Sequence, residues 1–372
     1  MNVYIHELPD WPHFFWDEKR LSRQLGLVRH RQGRLIGRME TLGFPLRTEA
    51  VLRTLTLDVV KSSEIEGALL DNAEVRSSIA RRLGVDIGNA VPVGRNVEGI
   101  VEMMLDATQN YDKPLIKERV FAWHASVFPT GRSGMNTITV NAWRDDSKGP
   151  MQVISGPLGH EQVHFEAPAA SRLESEMTAF LDWLNREDGT DEVLRAGIAH
   201  LWFVTIHPFD DGNGRIARAI ADMILARSEE SSQRFYSMSA QIRSERDTYY
   251  QRLEEAQQGT LDITRHLEWF LDCLNHAFDS VESTIGTVLN KARFWDSHAG
   301  EAFNDRQRMI LNRLLEDFEG KLTSTKWAKL AKCSQDTALR DILGLVDSGI
   351  LTKDPGGGRS TSYSLKSDTT PA

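Results

Sequence analysis

His207-Pro208-Phe209-Asp210-Asp211-Gly212-Asn213-Gly214-Arg215-Ile216-Ala217-Arg218 gathers an imidazole, two adjacent carboxylates, two glycines and two arginines into twelve residues. Upstream, Val193, Leu194, Ile198, Leu201 and Trp202 recur at helical spacing, and downstream Ile216, Ala219, Ile220, Met223 and Ile224 form the i, i+3, i+4, i+7, i+8 stripe of a core-facing helix. Pro208 ends the first helix. The stretch therefore reads as a helix, a tight turn and a second helix.

Gly212 and Gly214 permit positive φ and close approach of a ligand, so the turn offers a nest of N–H groups at a helix start, where anions bind. Arg215 and Arg218, three residues apart, leave the first turn on one side. Two cations there oppose the helix dipole, an arrangement that makes sense when a polyanion such as a triphosphate lies between them. Asp211 offers a hard oxygen for Mg²⁺, and His207 is placed to take a proton from an incoming hydroxyl. A solvated glycine turn beside a packed histidine would leave these coincident polar roles unexplained. No Gly-Lys-Ser/Thr follows, no third glycine is present and a helix comes first, which excludes a P-loop and a dinucleotide fingerprint.

At every fixed position the twelve residues resemble the His-Pro-Phe-x-Asp/Glu-Gly-Asn-Gly-Arg-x-x-Arg signature of the Fic family, whose members transfer AMP from ATP to a protein Ser, Thr or Tyr hydroxyl. The resemblance implies that His207 is the general base and that Asp211 holds Mg²⁺ on the α- and β-phosphates. It gives the phosphates to Asn213 and the backbone of Gly212 and Gly214, the departing pyrophosphate to Arg215, and the γ-phosphate to Arg218. Glu66, by spacing alone, is an ordinary helix-end carboxylate. Yet Ser62-x-x-x-Glu66-Gly67 is similar to the family's inhibitory Ser/Thr-x-x-x-Glu-Gly/Asn motif, whose glutamate pairs with the second motif arginine, here Arg218. A carboxylate there competes with a phosphate for one bidentate site.

With 372 residues the chain has length for two or three domains, and its net charge of −9 speaks against a surface that coats nucleic acid throughout. Cys273 and Cys333 give neither a disulfide framework nor a zinc quartet and fit a reducing cytosol. The N-terminal stretch lacks a basic region followed by an apolar one, and no 18-residue apolar run occurs, so the expected location is cytoplasmic, without a membrane partner.

Taken in order, residues 1–95 read as a helical extension that carries the inhibitory helix. It opens on an aromatic cluster, Trp11, Phe14, Phe15 and Trp16, followed by a helix from about Asp17 to Leu42 whose arginines read as a solvated face. Leu52, Leu55 and Val59 mark a second helix running to Gly67. Residues 96–290 form the core in this reading. Its early helices carry Val97, Ile100, Val101, Met104 and Leu105, then Val120, Phe121, His124, Val127 and Phe128, with His124 read as a core or boundary residue. Met151–Ser155 and Gln162–Phe165 alternate around a Gly/Pro turn and make a β-hairpin. A Fic protein carries its flap at this position, which assigns Val153, Ile154, Ser155 and Gly156 to the nucleotide and target cleft, the target held by strand addition. His160-Glu161-Gln162-Val163-His164 spells the His-Glu-x-x-His zinc pattern, but that chemistry needs a helix and the glycines and prolines around it favour the hairpin.

Leu173, Met177, Phe180, Leu181 and Leu184 stripe one further helix before the motif. After it, a stretch from Ser244 holds Tyr249-Tyr250 and Gln257, a pattern that by itself reads as core. By resemblance these three are candidate adenine contacts. Leu261–Leu289 continues as helix.

Residues 301–366 look like a separate module: helices around Met309–Leu315, Trp327–Ala331 and Thr337–Val346, then Leu351, a Gly356-Gly357-Gly358-Arg359 tip and Tyr363–Leu365 as two strands and a wing. That order resembles a winged helix-turn-helix. Asp305 to Lys366 holds 11 Lys or Arg against 8 Asp or Glu, a small basic excess. DNA binding through Gln335, Thr337 and Arg340, partner docking and a homodimer all stay open. Residues 367–372 read as a disordered tail.

The expected fold is thus mainly α: a Fic-type helical core with a small β-hairpin flap, an N-terminal helical extension and a C-terminal winged helix. The expected function is adenylyl transfer from ATP, with Mg²⁺, to an unknown target protein and to the chain itself, self-inhibited by Glu66. The alternatives are a nucleotide-sensing transcription regulator, or a Fic enzyme that removes AMP or transfers another phosphate-linked group.

Overall fold

Leu21, Val28, Gln32 and Met39 are buried at helical intervals and line α1 (Glu18–Glu40) of the computed structural model. The structure describes residues 3–40, 43–147, 149–156, 160, 162–315, 318, 320–355 and 361–366. The expected helix end at Leu42, the hairpin turn at 157–159, Glu161, the 356–359 tip and the 367–372 tail lie outside these residues.

Pro45 opens the first turn of α2 (Phe44–Ile65), where its missing N–H costs nothing, and the helix stops at Glu66 and Gly67, the glycine at φ +79°. Asp71 caps α3 (Asn72–Leu83) by accepting the Ala73 and Glu74 N–H groups. Next come α4 (Arg95–Gln109) and α5 (Lys117–Val127), which bury the two expected stripes apart from the partly exposed Phe121. Phe128 caps α5 rather than belonging to it.

Two short pairs follow: β1 (Arg132–Ser133) with β2 (Asn136–Thr137), then β3 (Gln152–Ser155) antiparallel to β4 (Gln162–Glu166) with Ile154 opposite Val163. His164 therefore sits on a strand. α6 (Leu173–Asn185), α7 (Glu192–Ile206) and α8 (Asn213–Glu229) complete the centre, α7 and α8 packing along each other with Ile216, Ile220, Met223 and Ile224 wholly buried. Each such side chain contributes roughly 1.5–3 kcal/mol of burial.

The helical stretch expected from Ser244 to Gln257 is α10 (Arg246–Gln257), while Ser244 closes the preceding α9 (Met238–Ser244) and Glu245 separates the two. The next helix starts later than expected, at Thr264, and runs to Ser297 as α11. Its delayed start has a cause: Phe15 N–H donates to the Leu261 carbonyl and Ile263 N–H to the Phe15 carbonyl, each at 3.0 Å, so 261–263 pairs as a strand before Asp262 accepts the Thr264 N–H.

The N-terminal extension is stitched onto this core. Trp11 and Phe14 pack edge-on against Trp202, and His6 donates to the Glu166 carbonyl at 2.8 Å. The arginines of α1 lie on its exposed or half-buried face as expected, and several are also paired: Arg20 with Glu268, Arg29 with Asp191 and Arg31 with Asp279. Composition could not show this, because the partners lie far along the chain.

The chain forms two compact units, Met1–Glu282 and Ser283–Ala372. The second unit contains α12 (Asp305–Leu315), α13 (Ser324–Ala331), α14 (Gln335–Asp347), and the antiparallel pair β5 (Leu351–Lys353) and β6 (Tyr363–Leu365). Trp327, Ile310, Leu311, Ile342 and Leu351 are among its buried core residues. Among the described residues no helix is long and apolar enough to cross a membrane.

Candidate active site

His207 closes α7 in the left-handed region, at φ 52°. That turn swings the chain out of the helix and into the loop before α8. Its Nδ1 lies 3.2 Å from the Val204 carbonyl. A carbonyl only accepts, so Nδ1 carries the proton and Nε2 is left as the basic nitrogen. Burial pushes the imidazole below its ordinary value, and the nearby Arg144 pushes the same way, although the Val204 bond and the charges of Glu66 and Asp211 oppose them. The ring is thereby kept neutral at neutral pH.

The loop is held from three sides. The Asn213 carboxamide accepts the Phe209 N–H at 3.0 Å and donates to the Phe209 carbonyl at 2.8 Å. Its side chain is thus engaged in closing the loop, and the main-chain N–H at the start of α8 is its contribution to any anion. His124, buried as expected, stacks on the Phe209 ring at 4.0 Å and donates to the Asp211 carbonyl at 3.2 Å. Arg144 donates to the His207 carbonyl at 2.8 Å and the Pro168 carbonyl at 2.5 Å, tying the His207 turn to the base of the hairpin. Arg144 has no motif around it and gave no signal in the sequence, and Phe128, expected only as part of a core stripe, gave none of its contact with the turn.

Gly212 is the cap of α8 with φ +83°, and a Cβ there would press into the Phe128 ring. Gly214 is different from expectation. It lies inside the helix with ordinary helical angles, and it is needed for space, since a Cβ would fall on the Glu66 carboxylate and beside Arg218 Nη1.

Asp211 takes the Gly212 N–H at 2.5 Å and the Ser133 hydroxyl, and its side chain stays 39% exposed. Each carboxylate oxygen keeps a further lone pair. No group of three or more His, Cys, Asp or Glu side chains fit to hold a metal occurs among the described residues. A single accessible carboxylate suits Mg²⁺, which is commonly held by one or two carboxylates together with substrate phosphates and water.

Arg215 lies over the Phe128 ring at 4.8 Å, buried, with no hydrogen-bond partner at Nε. Arg218 is 2% exposed; Nη2 meets Glu66 Oε1 and the Ser62 carbonyl, each at 2.8 Å, and Nε donates to Ser62 Oγ at 3.0 Å. Burial works against the Arg218 charge, yet Glu66 outweighs it and raises the group above its ordinary value. Arg218 Nη1 has no partner. The two candidate inhibitory residues and the second motif arginine thus form one cluster.

The remaining candidates divide. Tyr250 lies at the end of α2, its hydroxyl 3.4 Å from the Ile65 carbonyl and its ring beneath Arg246. Tyr249 is buried against Trp269 and bonded to His200, so it supports the site from within the core. Gln257, also buried, reaches the Val204 carbonyl at 3.4 Å, the acceptor that fixes His207. On the hairpin Ile154 is 53% exposed, Ser155 and Gly156 are exposed and Val153 is partly buried. Ser155 donates to His164 Nε2 at 2.6 Å and His164 Nδ1 donates to Glu254 at 3.0 Å, which pins β4 on α10. His164 is therefore engaged in hairpin docking.

Fold and site together define a Fic-type core, a helix pair whose connecting loop carries a basic imidazole and ends at an arginine-rich helix start. Residues 114–225 match the Fic/DOC family, so the chain carries a Fic domain; residues 4–85, which include Ser62 and Glu66, match a domain of unknown function, DUF4172. The chain is 35% identical over 117 residues to protein adenylyltransferase Fic of Nematostella vectensis, covering 30% of this chain and 25% of that protein. To the protein of the same name from Culex quinquefasciatus it is 26% identical over 228 residues, covering 59% and 40%. It thus spans well under half the length of these relatives. The crystal structure of a Fic family protein from Desulfovibrio desulfuricans G20 shares the fold with a TM-score of 0.53 at 20% identity, covering 96% of this chain and 99% of that one.

Proposed function

We propose that this chain is a protein adenylyltransferase, self-inhibited by Glu66 and acting on a Ser, Thr or Tyr hydroxyl of a target protein and of itself. The observation that carries the reading is the free, basic Nε2 of a neutral His207, set one loop ahead of a helix start that buries two arginines. The target oxygen attacks the α-phosphorus of ATP. The new O–P bond forms, the bond from that phosphorus to the bridging oxygen breaks, pyrophosphate leaves with the electron pair, and the hydroxyl proton passes to Nε2.

The N–H groups at the start of α8 and Arg215 would receive the phosphates, and Arg218, once released by Glu66, the γ-phosphate. Mg²⁺ on Asp211 would neutralise phosphate charge. Tyr250 would flank the adenine, with Tyr249 and Gln257 behind it, and Val153, Ile154, Ser155 and Gly156 would receive the target along the open strand edge. With Glu66 on Arg218 the nucleotide could sit only with its phosphates displaced. We take 1–95 as the inhibitory extension, 96–290 as the catalytic core, and the cytoplasm as the site of action.

We take 301–366 as a winged helix that docks protein rather than DNA. On α14 the exposed Leu339 and Leu343 stand one turn apart, an apolar pair with nothing to offer phosphates.

The test is incubation of the Glu66→Gly protein in lysate with ATP labelled in turn on the adenine, the α- and the γ-phosphate. Adenine and α labels on protein, with no γ label, support the reading; γ label, or none, removes it.

A further inference from the structure

Helices α2 and α8 meet along a polar seam longer than the Glu66–Arg218 pair. On α2, Asp58 and Ser62 stand one turn apart, with Glu66 a turn beyond at the cap; on α8, Gly214, Arg218 and Asp222 do the same. Glu66 lies over Gly214 and pairs with Arg218, and Ser62 takes the Arg218 Nε–H. The remaining rung sets Asp58 against Asp222, both carboxyls buried at 5% and 3% exposure.

Two carboxylates side by side in a buried place cannot both ionise without large cost. The available donors show where the proton sits. Asp58 Oδ1 takes the Ser237 hydroxyl and the Ser239 N–H, both at the start of α9. Asp222 Oδ1 takes Arg234 Nη2 at 3.0 Å, while Arg234 Nη1 donates to the Asp222 carbonyl at 2.8 Å. Asp222 Oδ2 is buried with no donor at all. An oxygen in that position beside a carboxylate is satisfied by carrying the proton itself. Burial first, then the Asp58 charge, push Asp222 well above the usual carboxylate range, against the pull of Arg234.

Around the pair stand Glu229, bonded to the Tyr236 hydroxyl, and Arg234, stacked on the Tyr236 ring at 4.6 Å. His200 of α7, held neutral by burial, and Trp269 of α11 line the wall shared by Arg218 and Asp222. None of these replaces the missing donor at Oδ2.

We propose that Asp58 and Asp222 share one proton and so latch α2 to α8 in the register that sets Glu66 on Arg218; loss of that proton frees the inhibitory helix. The inference rests on the inhibitory role of Glu66 given above. An acid raised above its ordinary value in the docked state holds that state at low pH and weakens it as pH rises through the raised value. Inhibition therefore relaxes toward alkaline pH. Asp58 and Asp222 are positioning residues, since neither reaches the nucleotide turn.

The test compares AMP-transfer rates of wild type and Glu66→Gly from about pH 6 to about pH 9, where ordinary carboxylates are fully ionised. Glu66 raises His207 in wild type only, so the ratio is read from about pH 7.5 upward, where a histidine held below its ordinary value of about 6.5 is neutral in both proteins. The ratio of mutant to wild type is expected to fall at least about threefold across that range, and to stay flat in the Asp222→Asn background, whose amide donates to Asp58 without a proton to lose. Asp58→Ala is expected to raise the rate roughly tenfold, a loss of ~1.4 kcal/mol of docking, and to add nothing in the Glu66→Gly chain. A raised but pH-flat ratio, an unchanged slope in Asp222→Asn, or an equal effect of Asp58→Ala in both chains would overturn the latch. A Glu66→Gly rate equal to wild type would overturn the inhibitory role beneath it.

Discussion

The Glu66 carboxylate meets the Arg218 guanidinium at 2.8 Å, and the arginine is buried while Glu66 stays 27% exposed. Glu66 is therefore the partner that water can reach and the one that can leave. Removing it strands a buried cation. The Glu66→Gly protein is accordingly expected to melt lower than wild type without nucleotide and to gain more from added ATP, which supplies Arg218 with a new anion. Melting curves with and without ATP check this, and an equal gain in both proteins would count against competition for Arg218.

Gly214 makes a second expectation that changes sign with background. In wild type a Cβ at 214 falls on the Glu66 carboxylate, so Gly214→Ala should lower the melting temperature. In the Glu66→Gly chain that clash is gone and alanine replaces glycine inside a helix, an advantage of roughly 0.5–1 kcal/mol. There the substitution should be neutral or stabilising. Four melting curves decide it, and a loss of the same size in both backgrounds would show that Glu66 is not what the missing side chain makes room for.

Arg144 lowers the His207 proton affinity and braces its loop. In the Glu66→Gly protein the acid limb of the kcat/KM profile should lie below the ordinary histidine value of about 6.5, because activity is lost as His207 takes up a proton. Arg144→Gln removes a cation and should move that limb upward, whereas Arg144→Lys should leave it nearer its place. A limb unmoved by Arg144→Gln would show that the charge does not act on His207.

Asn213→Ala loses both bonds to Phe209 and leaves a buried N–H and carbonyl without partners. A cost of about 1–3 kcal/mol is expected, read as a fall in denaturant midpoint with an unchanged m-value. No change in midpoint would mean that the loop is held without the carboxamide.

Much of the site was legible in the residues. The motif marks His207, Asp211, Arg215 and Arg218 because their spacing is local, fixed by one turn and one helix start. Ser62 and Glu66 became visible only through the resemblance, since spacing cannot show that a helix end 150 residues upstream folds onto Arg218. Arg144 was missed for the same reason and Phe128 was read only as part of a core stripe: one ties two carbonyls, the other supports Gly212 and Arg215 by ring contact, and neither of these roles leaves a periodic trace. The glycines were half understood, with Gly212 needed for its backbone angle and Gly214 for its lack of volume. Tyr249 illustrates the opposite case, since the plain reading of an aromatic on a helix as core describes where it lies.

The central claim is tested most directly by transfer of label from α-labelled ATP to protein, measured for wild type, Glu66→Gly, and Glu66→Gly combined with His207→Ala. The expected result is weak labelling of wild type, labelling at least about tenfold stronger in Glu66→Gly, the change that ~1.4 kcal/mol gives, and none above background in the double variant. Equal labelling of wild type and Glu66→Gly, or full labelling without His207, would contradict it.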